Sequence, residues 1–204
     1  MFKKTIVTII IVFGVSYVIA QHAAPTGTPF DVEKSKISWH ATKVTGEHNG
    51  TLNLVDGMVK YHGTHIHGGK FVFDMNSIVN VDIESEEWNA KLVDHLKSDD
   101  FFSVTKFPTA TIEIMSARPI KGAKKGEVNY IFKGDLTIKD IVHEIEFNAV
   151  VGFTKEYAQA VGEIVIDRTL YDVRYGSGKF FENLGDKMIH DEFIVSFDVI
   201  TKTK

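Results

Sequence analysis

The chain reads as all-β: an antiparallel barrel of about eight strands, with one short helix covering an end or a flank. Three observations predict this. Some eight or nine segments alternate apolar and polar residues with the period of two that turns one strand face inward. Turn-forming dipeptides separate several of them, which favours hairpins over the helical crossovers a parallel sheet requires. Helical spacing occurs in one convincing stretch, Ser85 to Lys97. At about eight strands a closed barrel is wide enough for packed side chains or for one elongated small ligand.

The N-terminus comes first and stands apart from the fold. Lys3 and Lys4 precede an uninterrupted apolar run from Thr5 to Ile19, and Val18-Ile19-Ala20 offers small or moderate side chains to a signal peptidase. The run is short for a transmembrane span. Residues 1–20 therefore read as an export signal cleaved near Ala20-Gln21, with an uncleaved anchor as the alternative, and the expected location is periplasmic or secreted. Residues 21–29, with Pro25 and Pro29, read as a flexible leader, and 30–204 as the barrel domain.

The absence of cysteine excludes a lipidated N-terminus, disulfides and thiolate metal sites, so the core alone must hold the domain. The net charge is −4, and loss of Lys3 and Lys4 takes the mature chain to about −6. With no sustained basic patch, nucleic acid is not an expected partner.

Ile37, Trp39 and Ala41 alternate with polar residues and form the first strand. Asn49-Gly50 and Asp56-Gly57 are hairpin signals, because both residues of such pairs tolerate positive φ. Phe71, Phe73 and Met75 share a face, and Ile78 to Ile83 is a further short alternation. Ser85 is a helix cap, Glu86 and Glu87 suit the first turn, and Trp88, Leu92 and Leu96 make one apolar stripe.

The helix hands over to Ser98-Asp99-Asp100-Phe101-Phe102, an acidic turn leading into a large apolar plug, and Pro108 fixes where the next strand starts. Ala110, Ile112 and Ile114 alternate, then Lys121 to Gly126 reads as an exposed turn. Tyr130, Phe132, Leu136 and Ile138 share a strand face, and a turn at Lys139-Asp140 leads to Ile145, Phe147, Ala149 and Val151 on the next. Val161 to Asp167 is another strand, and Phe193, Val195, Phe197 and Val199 face one way in the last.

Several of these blocks, in this order, resemble the YceI-like family of exported polyisoprenoid-binding or lipid-binding proteins with a lipocalin-like barrel. The resemblance spans Phe30 to Val199. Its most specific part is His95-Leu96-Lys97-Ser98-Asp99-Asp100-Phe101-Phe102 with Lys106-Phe107-Pro108. Gly134-Asp135-Leu136-Thr137-Ile138-Lys139-Asp140 follows the family's turn pattern, with Asp140 in place of glycine, and Ile166-Asp167-Arg168 with Tyr171 and Tyr175 is similar to its late segment.

The resemblance implies a barrel whose interior takes an isoprenoid lipid or a quinone-like amphiphile, without catalysis and without a cofactor. Candidate ligand contacts are Trp39, Phe71, Phe73, Phe132, Phe147 and Phe197, each on the more apolar face of its strand, and Trp88, since a tail would enter either between strands or past its helix. Each of the strand residues suits an ordinary core equally well, which leaves a ligand-free structural or interaction barrel as an alternative. A second alternative is a metal-binding protein using His65 and His67, which project to one side of an extended segment. Carboxylates are sparse near them and no HExxH motif is present, so no metal is expected. No Gly-x-Ser-x-Gly elbow occurs, and Arg168 beside Asp167 reads as either an exposed pair or a buried anchor.

Overall fold

A computed structural model describes residues 27–202; residues 1–20, read from sequence as an export signal, and most of the expected leader lie outside the described residues. Nine strands surround one core: β1 (Thr28–Pro29), β2 (Lys36–Lys43), β3 (Gly46–His62), β4 (His65–Asn80), β5 (Thr109–Pro119), β6 (Tyr130–Ile138), β7 (Ile141–Phe153), β8 (Ala158–Asp167) and β9 (Ile189–Ile200). The helix α1 (Glu86–Lys97) joins β4 to β5. Strands β2 to β9 pair with their sequence neighbours, all antiparallel, and β9 pairs back onto β2 to close an eight-stranded barrel. Closure leaves no long free edge.

Strand β1 lies outside the ring on β3, with Thr28 opposite Val59 and Pro29 opposite Met58. Thr28 and Pro29, read from sequence as part of the flexible leader, are therefore tied to the barrel. Phe30 N–H donates to Gly57 O at 3.1 Å, and Phe30 is buried. No local signal could report this, because the partner lies nearly thirty residues on.

The alternating segments form as expected. Along β6, Tyr130, Phe132, Leu136 and Ile138 are buried while Ile131, Lys133 and Thr137 face outward. Lys139 and Asp140 close the two-residue turn to β7 with φ of 53° and 59°, the mirror-image turn that matches strand twist. Asp140 tolerates this geometry, which accounts for a residue other than glycine there.

The two early hairpin signals are not turns. Strand β3 runs straight through Asn49-Gly50, where Gly50 pairs with Trp39 of β2, and the turn is at Val44-Thr45. A Cβ on Gly50 would lie 1.8 Å from Val79 O and 2.7 Å from the Trp39 ring, so glycine there serves close approach of β2, β3 and β4. Asp56-Gly57 sits at a register shift between Leu54 and Asp56, a bulge on β3 rather than a reversal.

Ser85 caps α1, its Oγ accepting from Trp88 N–H, and Ser98 N–H donates to His95 O at the C-terminus. The expected stripe is rotated, however. Trp88 is 61% exposed, with Lys91 Nζ 4.2 Å from its ring centroid, whereas Leu92, Val93 and Leu96 are half-buried. The Asn89 amide explains the rotation: its Nδ2 lies 3.1 Å from Asn80 O, 3.2 Å from Asn80 Oδ1 and 3.1 Å from Ile83 O. A polar clamp onto the end of β4, not an indole, anchors the first turn.

The connections define two barrel ends. The Val44-Thr45 and Lys139-Asp140 turns, α1 and the segment between β8 and β9 lie at one, the helix end. The Gly63-Thr64 turn and the loops after β5 and β7 lie at the other, the distal end. Among the described residues no helix is long and apolar enough to cross a membrane.

Candidate functional site: the interior cavity

The inward faces of the strands do not meet. They enclose a cavity with about 180 Å³ open to the centres of water-sized molecules, inside about 1630 Å³ of atom-free space that includes its mouth. One water needs only about 10–15 Å³ on the first measure, so this is room for a molecule. The lining runs the length of the barrel, from Leu96, Phe101 and Phe102 at the helix end to Tyr61, Ile66 and Phe153 at the distal end.

Aromatic rings form the walls by lying against one another. On one side Phe30 stacks on Phe71 at 4.6 Å, and Phe71 lies parallel to Phe73 at 6.4 Å. On the other, Phe132 stacks on Phe147 at 5.2 Å, and Phe197 meets Phe147 edge-on at 5.7 Å. Phe197 reaches Phe147 across β8, where a Cβ on Gly162 would lie 2.7 Å from the Phe197 ring. Offset and edge-to-face pairs of this kind hold rings in place beyond their burial.

Trp39, Phe71, Phe73, Phe132, Phe147 and Phe197 thus all line one cavity. Trp88 does not; it is on the outward face of α1, and its selection as a ligand contact is corrected. Trp39 is fixed by its Nε1–H, which donates to Val79 O at 3.2 Å. Sequence reasoning missed Phe30, which enters through β1, and Leu96 and Phe193 as lining residues. Phe193 shares the alternation that singled out Phe197, and the Phe101-Phe102 plug was visible as such.

The corner after α1 closes the helix end. His95 Nε2 is 3.3 Å from Asp100 Oδ2, and its ring meets Phe101 at 4.9 Å and Tyr175 at 4.5 Å, both edge-on. This packing ties the helix to the segment before β9. Lys106 Nζ donates to Asp99 Oδ2 at 2.8 Å and holds that carboxyl below its usual range.

Arg168 is the buried anchor of the two readings. Its Nε donates to His190 O, Nη1 to Val173 O and Tyr175 O, and Nη2 to Ile189 O, at 2.9–3.1 Å. Burial lowers its pKa, against the opposing charges of Asp191 and Asp167. Asp191 Oδ1 is 3.6 Å from Nη2, too far for a hydrogen bond. Asp167 turns instead to Lys179 Nζ, at 2.8 Å, and Thr169; burial pushes its carboxyl up, but these bonds bring it below the usual value. Burial also pushes the Tyr171 phenol up to about 12, with the Asp167 charge adding to the effect.

His62 and His65 are paired across the β3–β4 turn, and His62, His65 and His67 are exposed. Among the described residues, no group of three or more His, Cys, Asp or Glu side chains is placed to hold a metal ion.

A closed eight-stranded antiparallel barrel around an apolar cavity defines a lipocalin-like protein, whose site is its own interior. Within that class, the family model described as YceI-like domain matches residues 29–201, and the chain belongs to this family. Burkholderia cenocepacia BcnA is similar over 85% of this chain and 99% of its own, at 20% identity and a TM-score of 0.65. A polyisoprenoid binding domain from Saccharophagus degradans, implicated in plant cell wall breakdown, is similar over 88% of this chain and 100% of its own, at 13% identity and 0.57. The Campylobacter jejuni YCEI protein is similar over 76% and 85%, at 16% identity and 0.56. At these identities the structural likenesses show the fold. No curated protein matches the chain.

Proposed function

We propose that this protein is an exported carrier that sequesters an isoprenoid-type amphiphile, a lipid or a quinone, in the barrel interior without chemical conversion. The observation that carries the reading is the continuous apolar cavity, lined by side chains from every strand of the ring. Each CH₂ moved from water to such a lining gains about 0.8 kcal/mol, so a long chain binds without a charged recognition group. Family membership supports the reading, as does the Saccharophagus degradans neighbour, itself described as polyisoprenoid-binding. The charged n-region and apolar run of residues 1–20 support export to the periplasm or beyond.

Native mass spectrometry of protein purified from an exported fraction, with organic extraction of anything it carries, tests both parts. A stoichiometric extra mass that extracts as an isoprenoid is the expected result. A bare protein mass, unchanged after incubation with quinones and polyprenyl lipids, overturns the carrier reading; an intact N-terminus overturns signal cleavage.

A further inference from the structure

Strands β7 and β8 separate before either one ends. Their ladder runs from Phe153↔Ala158 to Asn148↔Glu163 and stops. Yet β7 stays paired with β6 back to Ile141, and β8 with β9 on to Asp167, so both continue without pairing to each other. The turn at Lys139-Asp140 fixes which main-chain groups face the opening. Ile138 and Ile141 close that two-residue turn, so the odd-numbered residues of β7 bond β6. The N–H and C=O groups of Val142, Glu144 and Glu146 therefore point toward β8, where they have no ladder partner. Strand β4 also outruns β5, but there α1 and the Asn89 clamp cover it.

The opening is a window with defined limits. Toward the helix end, His143 Nε2 lies 3.0 Å from Leu170 O and its ring meets Tyr171 edge-on at 5.2 Å, which joins β7 to the turn after β8. Toward the distal end, Asn148↔Glu163 resumes the ladder. Phe147, Ile164 and Ile166 flank the window and also line the cavity, so the interior lies directly behind it. Ile145 has the inward parity of Phe147 and packs against the core, but it is half-buried without lining the cavity, so its exposed surface faces the window. Side chains rather than main-chain bonds close the barrel here, and side chains turn over far faster than paired strands open.

The two ends are shut more firmly. At the helix end Phe101 and Val104 are buried beneath the corner, and Asn89 pins α1 to the end of β4. At the distal end Tyr61 and Tyr130 both pack on Phe153, and the Tyr130 hydroxyl donates to Thr64 O. We propose that the ligand's tail enters and leaves the cavity sideways, through the window between residues 144–147 of β7 and 164–167 of β8. The proposal rests on the carrier reading and selects passage between strands over passage past α1.

The chain has no cysteine, so an introduced pair can be linked without competing thiols. Glu146→Cys with Val165→Cys places two exposed positions across the window, opposite each other if the ladder ran two residues past Asn148↔Glu163. They are joined by a disulfide, or by a short bis-maleimide. In a Trp88→Phe background Trp39, which lines the cavity, is the sole tryptophan, and stopped-flow quenching of its emission follows retinol, an isoprenoid alcohol. Linking should slow uptake and release alike by about tenfold or more, the equivalent of breaking a ladder bond elsewhere, and change the equilibrium affinity by less than about twofold. Reduction of the disulfide should restore both rates. A control link between Ser116→Cys and Lys133→Cys, paired positions of β5 and β6, should leave them unchanged. Amide hydrogen exchange by NMR needs no ligand: Glu144 and Glu146 should exchange fast, and Ile145 and Phe147, bonded to β6, slowly. Unchanged rates in the fully linked protein, equal slowing by the control link, or protection of Glu144 and Glu146 equal to that of Ile145 each overturn the window while leaving a carrier. Failure of the unlinked protein to bind either retinol or geranylgeraniol removes the carrier reading, and this one with it.

Discussion

Replacing Arg168 with Met should destabilise the domain by about 3–5 kcal/mol, the usual cost of removing one side of a buried charged network. The side chain is 5% exposed and donates to the carbonyls of Val173, Tyr175, Ile189 and His190. Hydrogen bonds from a charged donor are each worth about 1.5–3 kcal/mol, but bonds sharing one guanidinium do not add, so their sum overstates the loss. Methionine fills most of the volume and supplies no donor, leaving four carbonyls at both ends of the 173–190 segment without their partner. For a domain of this size the cost corresponds to a fall in Tm of roughly 6–20 °C. Arg168→Lys should lose less, because an ammonium has three donors but lacks the planar fork. Urea unfolding at neutral pH, followed by circular dichroism, measures both variants. A loss under about 1 kcal/mol for Arg168→Met would show that the segment is held by its own packing and refute the clamp.

Three further outcomes are expected. Trp88→Ala should cost under about 1 kcal/mol, the size of its exposed contact with Lys91, and leave ligand occupancy unchanged by native mass spectrometry. Gly50→Ala should cost about 3 kcal/mol or more in a urea melt, since its Cβ would sit 1.8 Å from the main-chain oxygen of Val79, which cannot move without breaking the β3–β4 pairing. The Tyr171 phenol, raised from 10.0 to about 12 in the folded state, favours folding fully below pH 10 and loses that contribution as pH rises toward 12. The loss is about 2–3 kcal/mol. Urea midpoints between pH 9 and 12 should fall more steeply for the wild type than for Tyr171→Phe.

What was legible in the sequence is what local physics decides. The alternation from Tyr130 to Ile138, the tight turn at Lys139-Asp140 and the next inward face from Ile145 to Val151 each depend on neighbours within a few residues. The Ser85 cap and the Phe101-Phe102 plug belong with them. Gly50 was misread because a turn and a close approach of three strands both demand a missing side chain, and only the distant Trp39 and Val79 distinguish them. Trp88 was misread because the i, i+4 spacing allows several rotations of a short helix, and the Asn80–Asn89 clamp that selects one is a tertiary contact. Phe30 escapes notice and Arg168 stays ambiguous for the same reason: β3, β4 and the 173–190 segment contribute partners that no window along the chain contains.

The cavity itself could not be inferred from composition, because 15 phenylalanines can fill a barrel or line it. Geometry decides in favour of lining. Each ring finds its partner along the wall, Phe71 with Phe73 on one strand, Phe132 with Phe147 on adjacent strands, Phe30 with Phe71, and Phe197 with Phe147 across β8, so none needs to cross the centre. The space left has few polar atoms to hold water, so a chain entering it displaces little ordered solvent and meets preformed aromatic faces. Such binding is expected to show a negative heat-capacity change and a favourable enthalpy near 25 °C. The structure also separates two roles that sequence cannot separate: the Phe walls supply the apolar area of the cavity, while the Arg168 clamp and the His95 corner hold the helix end in one shape.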